Sequence, residues 1–281
     1  MRRNGGRPGA AHGPRVLWKL LQRTGTLVNA ELGIDLSELS VAAVGSPEPV
    51  VAHSLEEEHE LLRARVAGVL AAGAVPFVVG GGNDQSYPNA RAALDRGLKL
   101  SCINVDAHLD VRPLKEGRAH SGSPFRQLLE DPRFAGHNFV EFAAQGAQCS
   151  AQHAAFVAER GGHIVWLSAV RERGLAASLE LALARLDPDS SVFLSFDLDA
   201  VAGEHAPGVS APGVVGLSAA EALQLCFAAG AHPRVALFDL SEFNPLAETG
   251  MDADNPGYRT GKLVAAMFYH FLLGFRTRPK K

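Results

Sequence analysis

Short apolar, β-branched runs alternate with longer amphipathic stretches along almost the whole chain. The runs at residues 39–44, 75–79, 100–105, 139–143, 163–168, 192–196 and 235–240 have strand length and set a minimum of seven strands. Between them, residues 55–72, 151–159, 175–186, 218–229 and 261–273 carry the apolar spacing and length of helices. Nearly continuous apolar strands separated by helices are what a parallel sheet covered on both faces requires. The predicted class is therefore α/β, with three layers (α/β/α) around a mostly parallel sheet. Residues 1–281 read as a single domain, with no linker or repeat and with a basic, solvated tail at 275–281.

Polar residues punctuate the predicted strand ends. Asp106, His108 and Asp110 follow the run at 100–105, Asp197 and Asp199 close the run at 192–196, and Glu242 follows the run at 235–240. Asn83 ends the glycine run after residues 75–79. Side chains two residues apart leave a strand on the same face. In parallel sheets, ligands collect beyond the carboxyl ends of the strands, where all of these residues fall. Carboxylates gathered so closely repel one another unless a cation sits among them, which predicts a metal site holding two divalent ions. Oxygen donors with one imidazole and no thiolate suit Mn²⁺.

Composition narrows the function. A chain of 281 residues that is 47% hydrophobic can bury a large core. A formal charge of −3, with the basic residues scattered, offers no footprint for nucleic acid or an anionic membrane, so the expected partner is a small molecule. Cys102, Cys149 and Cys226 have no disulfide or zinc-type spacing, which fits a reducing compartment. No run reaches the roughly 20 apolar residues of a membrane span, and Met1-Arg2-Arg3 leads into glycines instead of a signal core, so a soluble, cytoplasmic protein is expected.

Taken together and in order, Gly80-Gly81-Gly82-Asn83-Asp84, Asp106-Ala107-His108-Leu109-Asp110, Ser121-Gly122-Ser123-Pro124-Phe125, Ser195-Phe196-Asp197-Leu198-Asp199 and Glu242-Phe243-Asn244-Pro245 resemble the ureohydrolase (arginase) superfamily over essentially the whole chain. The continuation Asp110-Val111-Arg112-Pro113 and the Ser121–Phe125 segment resemble its formimidoylglutamase branch. The resemblance implies an arginase-like fold and a binuclear Mn²⁺ centre that activates water to cleave a C–N bond. The implied reaction converts N-formimino-L-glutamate to glutamate and formamide, a step of histidine breakdown.

Carried over residue by residue, Asp106 and Asp197 would bridge two Mn²⁺ ions. Asn83 and Asp110 would complete one shell, and His108 and Asp199 the other. Asp110 would relay a proton, Glu242 would hold the amidine, and Arg112 and Ser121 would bind the rest of the substrate. Assembly into a homotrimer or homohexamer is implied by the resemblance alone.

Departures from the family pattern qualify this. Asn83 stands where a histidine is usual, which predicts a weaker metal subsite, or none if the amide only hydrogen-bonds nearby. Ser121 stands where arginases carry a proton-shuttling histidine; the neighbouring His120 reads as a surface group. The opening segment, Arg3 to Ala10, resembles the loop after the family's first strand, yet that strand is missing, which predicts a vacant interior place in the sheet. Arg7 reads as a loop-stabilising residue, Trp18 and Trp166 as packing residues, and most remaining histidines, His53 among them, as structural or surface groups. Two other functions stay open: another ureohydrolase acting on agmatine, a guanidino acid or arginine, and a metal-poor, non-catalytic homologue.

Overall fold

A computed structural model describes residues 5–46, 54–248 and 258–279. The chain runs through α1 (Gly13–Leu21), a small antiparallel pair β1 (Val28–Asn29) and β2 (Ile34–Asp35), and α2 (Leu55–Ala71). It continues through β3 (Phe77–Val79), α3 (Ser86–Asp95), β4 (Leu100–Val105), α4 (Pro124–Glu130), β5 (Phe139–Ala144), α5 (Ala151–Glu159) and β6 (His163–Trp166). After α6 (Leu167–Arg173) and α7 (Leu175–Arg185) come β7 (Ser191–Asp197), α8 (Ala219–Ala231), β8 (Val235–Ser241) and α9 (Tyr258–Arg276). Strands β3 to β8 form one sheet in the order β3-β8-β7-β4-β5-β6, with every neighbouring pair parallel.

Side-chain alternation along the strands divides the interior into two cores. Ile103, Val105, Val140, Phe142, Leu194, Phe196 and Leu240 pack with α7, α8 and α9. Leu100, Cys102, Phe139, Phe193 and Leu237 pack with α2, α3 and α4 on the other face. Each such side chain, fully buried, contributes about 1.5–3 kcal/mol. Helices α8 and α9 approach unusually closely because glycines sit at the contact: a Cβ on Gly230 would collide with the Phe271 carbonyl, and one on Gly274 with that of Phe227. Ser218 and Glu221 form a capping box that starts α8.

Several expectations change. Residues 39–44 form no strand; Val41 and Val44 are exposed, and without a neighbouring strand to share its hydrogen bonds a β-prone run gains nothing from pairing geometry. The run at 163–168 stops early because Leu167 opens α6. Among the described residues the sheet has no vacant interior place, since its six strands are hydrogen-bonded in unbroken order.

As far as residue 279, the tail is not a loose end. Arg276 pairs with Glu38, and Arg278 lies over the Phe275 ring and donates to the Gly230 and Val235 carbonyls. Trp18 is substantially exposed, contrary to a packing role. Arg7 does brace a loop, donating to Ser210 and the Val209 carbonyl. Arg3 and Asn4 of the opening segment and His53 lie outside the described residues. Among the described residues, no helix is long and apolar enough to cross a membrane.

Candidate metal centre

The strand order places β3, β8, β7 and β4 side by side. Their carboxyl ends deliver, in that order, Asn83, Glu242, Asp197 with Asp199, and Asp106 with His108 and Asp110. Asp106 continues the β4 ladder, its N–H donating to Phe142 O at 3.1 Å.

The pairing of side chains two residues apart comes from a turn, not from strand pleat as the sequence suggested. Asp106 Oδ1 accepts from the His108 N–H at 2.7 Å, and Asp197 Oδ1 accepts from the Asp199 N–H at 3.0 Å. Each aspartate thus bends the chain back over its own carboxylate. Asp110 (φ 45°) and Glu242 (φ 65°) occupy the left-handed region, which is costly for side chains of this kind and is held here by Phe125 N–H donating to Asp110 O and Glu242 N–H donating to Gly81 O.

Ligand atoms of Asp106, His108 and Asp199 lie within 4.8 Å of one another, and so do those of Asp106, Asp110 and Asp197. Asp106 is common to both groups. Burial and the Asp106 charge raise Asp110 well above the usual carboxylate range; burial, Asp199 and Asp106 do the same to Asp197. Burial and Asp106 push Asp199 up to about 6, and burial with Asp199 raises Glu242. Burial works against a charged His108, but the Asp199 and Asp106 carboxylates, 3.2 and 3.3 Å from its Nδ1, push it up to about 12. Burial would also raise Asp106, yet contact with His108 holds it low. Protons thus stand in for missing positive charge.

Among the described residues, Asp199 Oδ1 and Glu242 Oε2 are buried without a hydrogen-bond partner. Oxygen-rich donors, one imidazole and two orphaned carboxylate oxygens fit a pair of Mn²⁺ ions.

A polar layer that the sequence pattern did not reveal supports this cluster. Asn104 Nδ2 donates to Asp106 Oδ2 and to both oxygens of the fully buried Glu141. Ser86 and Ser241 donate to Asn83 Oδ1, and Asn89 donates to Asp239. The available signal was polar side chains interrupting otherwise apolar strands at Asn104, Glu141, Ser195 and Asp239.

Arg112 is half-buried on the loop after Asp110, and its N–H donates to Gly122 O, which draws Ser121 toward the same loop base. His120 is buried, not a surface group: its Nε2 meets Pro113 O at 3.0 Å and its Nδ1 accepts from Gly122 N–H at 3.1 Å. A cavity of about 620 Å³ is lined by Gln145, Trp166, Ser168, Arg171, Glu204 and Val215 among others, and by none of the cluster side chains. Gln145 N–H donates to the carbonyl of Ala107, between Asp106 and His108.

The arginase family model matches residues 2–274. The chain belongs to the arginase family. Among relatives of this arginase-family protein, the formimidoylglutamase of Geobacillus thermodenitrificans is 33% identical over 98% of this chain and 81% of its own length. The formiminoglutamase of Trypanosoma cruzi, solved with two Mn²⁺ ions, superposes with a TM-score of 0.92 at 50% identity, covering 99% of this chain and 90% of that one. An asparagine-to-histidine variant of the same T. cruzi protein, also with Mn²⁺, gives a TM-score of 0.92 at 49% identity, covering 99% and 89%.

Proposed function

We propose that this arginase-family chain is a Mn²⁺-dependent formimidoylglutamase: N-formimino-L-glutamate and water are converted to glutamate and formamide. The observation that carries the reading is the convergence of Asp106, His108, Asp110, Asp197 and Asp199 into two ligand groups sharing Asp106. The donors that would hold the ions are these five residues, with Asn83 as a weaker sixth. When bound, two Mn²⁺ ions lower the pKa of water toward neutrality and polarise it for attack on the formimino carbon.

The remaining work falls to the chain's own side chains. Glu242, its Oε1 fixed by the Asn83 N–H at 3.0 Å and its Oε2 without a partner among the described residues, accepts N–H groups of the cationic amidine and orients its carbon. Asp110, beside that position, takes a proton from the attacking water and delivers it to the departing amine, so the C–N bond breaks as glutamate leaves and formamide is released. Arg112 and Ser121 bind the glutamate end, the planar guanidinium matching a carboxylate. Burial of the cluster sharpens each of these charge interactions.

The proposal extends to a single domain over residues 1–281, a cytoplasmic location, a place in histidine breakdown and a homotrimeric or homohexameric assembly, the last supported only by family resemblance. The test is formamide release from N-formimino-L-glutamate with bound manganese quantified in the same sample, using arginine and agmatine as controls. Turnover of the formimino substrate with about two Mn²⁺ per chain supports the reading. Turnover of agmatine or arginine instead moves the protein to another ureohydrolase activity, and absence of bound metal after Mn²⁺ addition favours a non-catalytic homologue.

A further inference from the structure

Asn83 is gripped on both sides of its amide. Its Nδ2 donates to Asp110 Oδ2 at 2.9 Å and Asp106 Oδ2 at 3.3 Å, while its Oδ1 accepts from the hydroxyls of Ser86 at 2.8 Å and Ser241 at 3.2 Å. Asn83, Ser86 and Ser241 are completely buried. In this orientation the amide hydrogens face the carboxylates and supply some of the positive charge the cluster lacks. A cation settling beside Asp106 and Asp110 would meet those hydrogens instead of an oxygen.

A half-turn about the terminal side-chain bond exchanges the two ends. Oδ1 then takes the place of Nδ2, roughly 3 Å from two carboxylate oxygens, which is the separation of adjacent oxygens in an octahedral shell. The two amide hydrogens turn toward two hydroxyl oxygens. A hydroxyl accepts as readily as it donates, so Ser86 and Ser241 can serve either orientation. Ser86 can pass its own hydrogen to Ser195 Oγ, 3.2 Å away.

We propose that Ser86 and Ser241 are positioning residues that let Asn83 alternate between donating to Asp106 and Asp110 in the metal-free protein and offering its oxygen to a Mn²⁺ ion. The idea rests on the metal-dependent reading given above. Main-chain groups in the same places would fix one orientation, because a carbonyl only accepts and an N–H only donates. The serines matter more to the metal-holding orientation. Without them it buries two N–H donors with no acceptor, whereas the metal-free orientation leaves one carbonyl oxygen underused, and orphaned donors are the less tolerated of the two.

The experiment measures Mn²⁺ binding by calorimetry, with the electron paramagnetic resonance spectrum of the filled site as a second readout. Ser86→Ala and Ser241→Ala are made singly and together, both in the natural chain and with Asn83→Asp, whose carboxylate presents an oxygen whichever way it turns. In the natural chain the paired serine changes should weaken one of two Mn²⁺ sites by about tenfold and each single change by less. With Asn83→Asp the same changes should leave affinity unaltered. Equal weakening in both backgrounds assigns the serines to packing alone and overturns the switch, as does no weakening in either. If the paired variant does not fold, the single changes decide between these outcomes in the same way. An unmodified protein that binds no Mn²⁺ defeats the metal reading itself, whereas normal Mn²⁺ binding that ignores the serines defeats only the switch.

Discussion

Buried carboxylates occur in two settings in this protein. At the carboxyl ends of the strands, Asp106, Asp110, Asp197, Asp199 and Glu242 crowd together with one histidine, and two of their oxygens have no partner among the described residues. Deeper in the sheet, both oxygens of Glu141 accept from the Asn104 amide, and Asp239 is held by the Asn89 amide together with the Ser195 and Ser86 hydroxyls. An isolated buried carboxyl can be kept neutral by taking a proton, and burial raises both Glu141 and Asp239 accordingly. A crowd of carboxyls that must also face a substrate needs a cation. The first setting is a site that keeps some exposure, at Asp110 above all, and the second is its fully buried foundation.

The sharpest way to break this contrast is Asp106→Ala. Asp106 belongs to both ligand groups, so its loss should empty both and lower kcat/KM by roughly 10³-fold or more. Retention of two Mn²⁺ per chain in that variant would contradict the shared role.

Stripping the metal should have the next largest effect. Folding raises Asp110, Asp197, Asp199, Glu242 and His108. A group raised by folding contributes stability that is complete below its unfolded pKa and fades as pH climbs through its folded one. Asp106, which is lowered, runs the other way and is outnumbered. The metal-free protein should therefore weaken steadily from about pH 4 upward, while Mn²⁺, which needs deprotonated ligands, binds better. The Tm difference between loaded and stripped protein should widen with pH, each ion adding about 2.7 kcal/mol at a hundred times its Kd. Thermal melts at acidic and alkaline pH check this, and a narrowing difference would count against it.

Arg112→Ala tests what the cluster faces. Removing a charged hydrogen bond to a substrate carboxylate should raise KM about 10- to 100-fold with kcat little changed, as steady-state kinetics would show. A fall in kcat alone would give Arg112 some other task.

The smallest effect belongs to the foundation. Burial raises Asp239 to about 6, so its contribution to stability is full below about pH 4 and lost as pH rises through 6, a change of up to about 3 kcal/mol. Asp239→Asn keeps an acceptor for Asn89 and should flatten that slope in denaturant titrations, with Mn²⁺ content unchanged. A loss of bound metal would merge the two settings into one.

Much of this was legible beforehand. The runs at 100–105, 139–143, 192–196 and 235–240 became β4, β5, β7 and β8 because each, apart from the polar side chains at Asn104, Glu141, Ser195 and Asp239, is largely apolar and is flanked by helices that bury it. The run at 39–44 is mostly apolar but carries Ala42 and Ala43, which favour strands less, and it has no partner strand among the described residues. The ligand candidates stood out as acidic residues at strand ends. Ser86 and Ser241 did not, because a serine carries no sign of what its hydroxyl meets.

By itself, the sequence determined the α/β class, the acidic strand ends and the family, since these depend on local periodicity and on residue types at fixed spacing. Only the tertiary structure decided that Asn83 and Glu242, far apart in the chain, come from adjacent strands, and that the Asp106 and Asp197 carboxylates bend their own backbones into place. It also decided which end of the Asn83 amide faces the cluster. Strand order and hydrogen-bond direction are properties of neighbours in space, and a linear pattern records only neighbours in the chain.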